Sequence, residues 1–136
     1  MTEQEVIPKP QWSQIFTITE SEQTAFRQLS GDNNPLHHST EFANQRGFTG
    51  PVVYGGLIVA KISGFIGSTF PGDGCVWSKL TVNFRAPLYV GVEAHLTIVC
   101  THANEDLGVW ELAIKLNSPD KLLATASVQV MLPKTR

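Results

Sequence analysis

Between positions 30 and 37 the chain reads Ser30-Gly31-Asp32-Asn33-Asn34-Pro35-Leu36-His37, which sets a carboxylate and an imidazole five residues apart. Two such groups held on one rigid turn are what general acid–base chemistry needs. The segment cannot be regular helix: Gly31 loosens the backbone, and Pro35 drives Asn34 toward an extended conformation. Asn33-Asn34-Pro35 is turn chemistry, so Asp32 also has a plain reading as a turn former, with His37 a surface residue beside it. What favours chemistry is the rest of the chain, beginning with a long apolar stretch over residues 51–70 that would wall the pair on one side.

The elements that must position this turn are legible on both sides. Residues 15–18, Ile-Phe-Thr-Ile, read as a short strand after a loose lead-in over residues 1–11. Thr19-Glu20-Ser21-Glu22 is a capping box, and Ala25, Phe26 and Leu29 then recur at helical spacing, so a helix delivers the chain into Asp32. Residues 39–46 read as a second short helix closed by Gly47. Pro51 suits the first turn of a third, apolar nearly all round from residue 52 to about residue 68, as befits a helix surrounded by protein. Its glycines 55, 56, 64 and 67 weaken it intrinsically but let backbone or ligand come close.

After Gly74 the period changes to two. Val76, Ser78, Leu80, Val82 and Phe84 alternate with Trp77, Lys79, Thr81, Asn83 and Arg85. Three further alternating runs follow, near residues 92–100, 110–116 and 124–132, with turn residues between them. The expectation is a four-stranded antiparallel meander with one buried face. A helix needing cover and a sheet with one apolar face satisfy each other if the sheet wraps the helix, an α+β architecture.

Composition sets the outer bounds. The chain has 136 residues, of which 42% are hydrophobic and 16% charged, with net charge −2. That suits a single domain with a real core, spanning residues 1–136. No basic stripe exists, which argues against nucleic acid as a partner. Cys75 and Cys100 are far apart, and His95 and His102 have no Cys, Asp or Glu at ligand spacing, so neither a metal nor a disulfide framework is expected. The opening Met1-Thr2-Glu3-Gln4-Glu5 is not a signal peptide, the apolar stretch carries Lys61 and Ser63, and the expected location is cytoplasmic, with no membrane span.

The motif 30–37, then Phe42-Ala43, then Gly50-Pro51-Val52-Val53-Tyr54-Gly55-Gly56-Leu57, resembles the MaoC-like, (R)-specific enoyl-CoA hydratase family. Asn83-Phe84-Arg85-Ala86-Pro87-Leu88-Tyr89-Val90-Gly91 is similar to that family's strand-and-turn segment. The likeness runs from about residue 16 to residue 130, and its first motif is the specific one. It implies the hot-dog fold, an antiparallel sheet wrapped around a long central helix, and a place in fatty acid metabolism. It implies hydration of a trans-2-enoyl thioester to the (R)-3-hydroxyacyl thioester, or the reverse dehydration, a hydro-lyase reaction without a cofactor. Asp32 and His37 match the family's catalytic pair, Gly55 the backbone donor to the thioester oxygen, and Ser63 a hydroxyl of the cleft. Which of Asp32 and His37 activates water stays open at this level.

Two departures concern the substrate: Tyr54 stands where the family commonly has His, as a different hydrogen-bond donor, and Gly56 where Met is frequent, which would widen the pocket. Asn34 is read as shaping the turn beside the substrate. Lys79 and Arg85, on one strand face with Trp77 and Thr81, are either a solvated face or contacts for coenzyme A phosphates. The implied partners are an acyl-CoA or acyl carrier protein thioester and a second copy of the chain, as a homodimer or a higher assembly of dimers. Two rival readings are a hot-dog thioesterase, for which residues 52–68 lack the usual acid, and a non-catalytic acyl-thioester-binding protein.

Overall fold

A computed structural model describes residues 10–133; residues 1–9 of the expected lead-in, with its acidic opening, lie outside the described residues. The chain runs through β1 (Gln11–Thr17), α1 (Glu20–Ser30), a 3-10 turn (Pro35–His37), α2 (Thr40–Gln45), α3 (Gly55–Ser68), β2 (Val76–Phe84), β3 (Glu93–Asn104), β4 (Val109–Asn117) and β5 (Leu122–Met131). The strands form one antiparallel sheet in the order β1-β3-β4-β5-β2. α3 packs Ile58, Ile62 and Ile66 into the core that the sheet's inner face provides through Leu96, Ile98, Ile114 and Val128. Each such side chain contributes about 1.5–3 kcal/mol by leaving water. The arrangement is the hot-dog fold.

Only β3, β4 and β5 form a meander, so the expected four-stranded one is corrected. β2 lies on the far edge, paired to β5, rather than beside β3. A hairpin between β2 and β3 would need a loop of about 2–5 residues. Residues 85–92 instead cross beneath the helix start: Leu88 is buried, its carbonyl accepts from the Val53 N–H, and Val90 N–H donates to the Pro51 carbonyl. β1 also exceeds the strand expected at residues 15–18 and takes in Gln11 from the lead-in. Its polar Gln-Trp-Ser-Gln segment carries no strand pattern of its own and is recruited by pairing, Gln11 opposite Val99.

α1 and α2 follow their caps. Thr19 closes a reciprocal capping box with Glu22, Gly31 ends α1 in the left-handed region at φ 75°, and the Ser39 side chain caps α2. α3 starts at Gly55, three residues later than expected, because residues 51–53 are extended: Val52 bridges to Tyr89. Nor is α3 enclosed by its own chain. Leu57, Ile58, Ile62, Phe65 and Ile66 are buried, but Gly56, Ala60, Ser63, Gly64 and Gly67 form an exposed face of small residues. Among the described residues no helix is long and apolar enough to cross a membrane.

Candidate active site

The turn after α1 is built from its own side chains. Ser30 Oγ accepts from the Asp32 N–H, Asp32 Oδ1 from the Asn34 N–H at 3.0 Å, and Asn34 Oδ1 from the Leu36 N–H at 3.1 Å, the last capping the 3-10 turn that carries His37. These are the Asx turns that Asp and Asn favour in non-helical backbone. Arg27 Nε donates to Asn33 Oδ1 at 2.9 Å and ties the turn back to α1. Asn34 is thus a turn builder. The Asp32 side chain stands exposed at the bend.

His37 is held more tightly. Its Nδ1 lies 2.6 Å from the Val52 carbonyl oxygen. A carbonyl only accepts, so Nδ1 carries the hydrogen, and Nε2 of the neutral ring keeps its lone pair for proton transfer. The ring stacks on Tyr54 with centroids 3.9 Å apart. Tyr54 is 2% exposed, its hydroxyl donates to the Asp32 carbonyl oxygen at 2.6 Å, and the Phe26 ring packs tilted against it with centroids 4.8 Å apart. Burial first, and the Asp32 charge second, hold the Tyr54 hydroxyl above its ordinary range. The Tyr54 hydroxyl proton is thus spent on the turn. Gly56 does not widen a pocket, because a Cβ there would meet Phe26 Cζ at 2.5 Å; the space is already filled by that ring.

His37 and Gly55 line one cleft of about 390 Å³, walled by Phe48, Ile58 and Phe84 and edged by Arg85. Gly55 opens α3, so its N–H is one of the donors a helix start leaves without an intrahelical partner, at the positive end of the helix dipole. A Cβ at position 55 would meet Phe84 Cζ at 3.0 Å, so the glycine lets that ring close over the helix start.

Asp32, Ser63 and Lys79 do not line this cleft. Ser63 lies two turns further along α3, about 12 Å of helix from Gly55, on the exposed face. Lys79 faces outward on β2 opposite Gln129, six residues and about 20 Å of strand from Arg85. Trp77 does not share its face. A bulge between Trp77 and Lys79 shifts the register, placing Trp77 opposite buried Val130 and Leu80 opposite buried Val128. Sequence reasoning missed Gln23, buried on α1, whose amide nitrogen donates to the His37 carbonyl at 2.9 Å and the Val52 carbonyl at 2.8 Å. Its only signal was a polar residue one turn behind apolar Phe26 on a helix leading to the turn.

Burial raises the thiols of both Cys75 and Cys100. Among the described residues no three His, Cys, Asp or Glu side chains are grouped so as to hold a metal ion.

A sheet wrapped on one helix, with an acid–imidazole turn delivering its histidine to that helix's N-terminus, is the arrangement that the hot-dog resemblance implies. Residues 3–111 match the model of the MaoC like domain, and the chain belongs to the MaoC-like family. It is 33% identical over 114 residues to the (R)-specific enoyl-CoA hydratase of Aeromonas caviae, covering 83% of this chain and 85% of that protein. It is 28% identical over 117 residues to a 3-hydroxybutyryl-CoA dehydratase of Methylorubrum extorquens, covering 86% and 74%. Among solved structures, the (R)-hydratase from A. caviae involved in PHA biosynthesis superposes with a TM-score of 0.87 at 29% identity, over 96% of this chain and 100% of that one.

Proposed function

We propose that this chain is a hydro-lyase of fatty acid metabolism, hydrating trans-2-enoyl-CoA to (R)-3-hydroxyacyl-CoA and catalysing the reverse dehydration. The observation that carries the reading is that His37, whose Nδ1 is spent on the Val52 carbonyl, lines one apolar cleft together with Gly55 at the start of α3. Water adding to the β-carbon must lose a proton, and the α-carbon must gain one. His37 Nε2 and the Asp32 carboxylate are the two groups of the turn able to make those transfers. Negative charge gathers meanwhile on the thioester oxygen. The Gly55 N–H and the start of α3 stabilise it there.

Arg85, at the cleft's edge, is the cation placed to meet coenzyme A phosphates; Lys79 would serve only a carrier extended along β2. An acyl carrier protein thioester is the second substrate class. The chain acts as one domain and as a homodimer. Support for the dimer is the bare face of small residues on α3 and the edge strand β2, where Val76 and Phe84 stand more than half exposed, as an unpaired edge does. Ser63 lies on that face and joins the substrate site where a second copy covers it. Two free cysteines fit a reducing cytoplasm.

The test is the ultraviolet absorbance of crotonyl-CoA and a longer homologue, with wild type beside His37→Ala. Loss of the enoyl band with wild type alone is the expected result. A persistent band with both substrates would overturn the reading, and release of free thiol in its place would favour a thioesterase.

A further inference from the structure

Gln23 is 5% exposed, and among the described residues its Oε1 has no hydrogen-bond partner. Both bonds of its amide nitrogen go to carbonyl oxygens, those of His37 and Val52. Flipping the amide would set an oxygen against two oxygens, so the orientation is forced and the orphan acceptor is its consequence. Burying an acceptor with no donor is costly, and native chains do it seldom. An apolar side chain on this face of α1 would remove that orphan, but it would also withdraw a donor from the His37 and Val52 carbonyls.

What the two bonds achieve is specific. The Val52 carbonyl is the same one that accepts from His37 Nδ1, and the His37 carbonyl is the ring's own backbone. Gln23 therefore links the backbone that carries the imidazole to the acceptor that orients it. α1 is held for this task at its N-terminus by the Thr19–Glu22 capping box and by the ion pair of Glu22 with Lys61 on α3.

We propose that Gln23 is a positioning residue for proton transfer by His37, fixing the ring as the Nδ1–H tautomer by clamping the His37 and Val52 carbonyls together. It touches no reacting atom. Its contribution to turnover rests on the hydratase reading above, whereas its effect on the tautomer does not.

The test is nitrogen NMR of histidine-labelled protein, wild type beside Gln23→Met, which keeps the length and removes both donors. Wild-type His37 is expected as the Nδ1–H form, with Nε2 unprotonated. In Gln23→Met the Nε2–H form should rise several-fold, with kcat on crotonyl-CoA falling about tenfold and KM moving less than twofold. Gln23→Val, smaller and equally without donors, is the second variant should Gln23→Met not fold. An Nε2–H ring in wild type, or the same tautomer balance in wild type and variant, would overturn the proposal. Wild type lacking hydratase activity but showing the tautomer shift on substitution would overturn the enzymatic reading alone.

Discussion

The Tyr54 hydroxyl donates to the Asp32 backbone carbonyl at 2.6 Å while the Tyr54 ring lies 3.9 Å from the His37 ring, so one side chain braces both halves of the acid–imidazole pair. Asp32 and His37 are joined by no direct bond of their own. Their relative placement depends on a residue from the start of α3, 22 positions from the first and stacked on the second.

Tyr54→Phe should keep the stack and lose the bond. The expected cost is about 1 kcal/mol of stability, from urea unfolding at pH 7, with a several-fold drop in kcat as the turn loosens. The substitution should also change the alkaline limb. The Tyr54 hydroxyl is raised in the fold, chiefly by burial, so its contribution is complete below the unfolded tyrosine value of about 10 and is lost as pH rises through the folded value. Between pH 8 and 11 the wild type should therefore lose more stability than Tyr54→Phe; equal losses would contradict the assignment.

Asp32→Asn and His37→Ala should each lower kcat by about 10²–10⁴-fold and leave binding of an unreactive acyl-CoA nearly unchanged, as read by calorimetry. Asp32→Asn keeps an oxygen for the Asn34 N–H, so the turn should survive. Hydration continuing in Asp32→Asn would remove Asp32 from the chemistry.

Two glycines of α3 should respond in opposite ways. Gly56→Ala drives a methyl into Phe26, which is itself packed on Tyr54, and should destabilise by about 1–3 kcal/mol despite the better helix propensity of alanine. Gly64 has nothing within 4 Å of its Cβ position. A bulky Gly64→Phe should leave the chain folded by circular dichroism yet shift the proposed dimer to monomer in sedimentation. A dimer that persists would place the interface elsewhere.

Lys61 Nζ pairs with Glu22 across α3 and α1, and this hydrogen bond first, then the Thr19 N–H, lowers the Glu22 carboxyl. A lowered carboxyl stabilises the fold above its unfolded value of about 4.3, and that stability is lost as pH falls through the folded one. Both side chains are one-third exposed, so solvent screens the pair and its worth is below about 1 kcal/mol. Glu22→Gln should thus lower the urea midpoint at pH 7 slightly, and the gap to wild type should narrow as pH falls below about 4.3, where the wild type begins to lose the same increment.

The sequence by itself determined what rests on neighbours a few residues apart. Asp32, Asn34, Pro35 and His37 specify their turn through bonds spanning two or three residues, Thr19 and Glu22 specify the start of α1, and alternation marks β3, β4 and β5. Tertiary structure alone decided where those pieces meet. Alternation along β2 cannot reveal the bulge that moves Trp77 to the core side, nor the edge on which the strand pairs, because both are set by the register with β5. That Tyr54 faces the Asp32 carbonyl and Gln23 the carbonyl beneath His37 is likewise unreadable from residue type. A polar side chain commits its hydrogen bonds only once burial has removed water and left particular backbone atoms within reach.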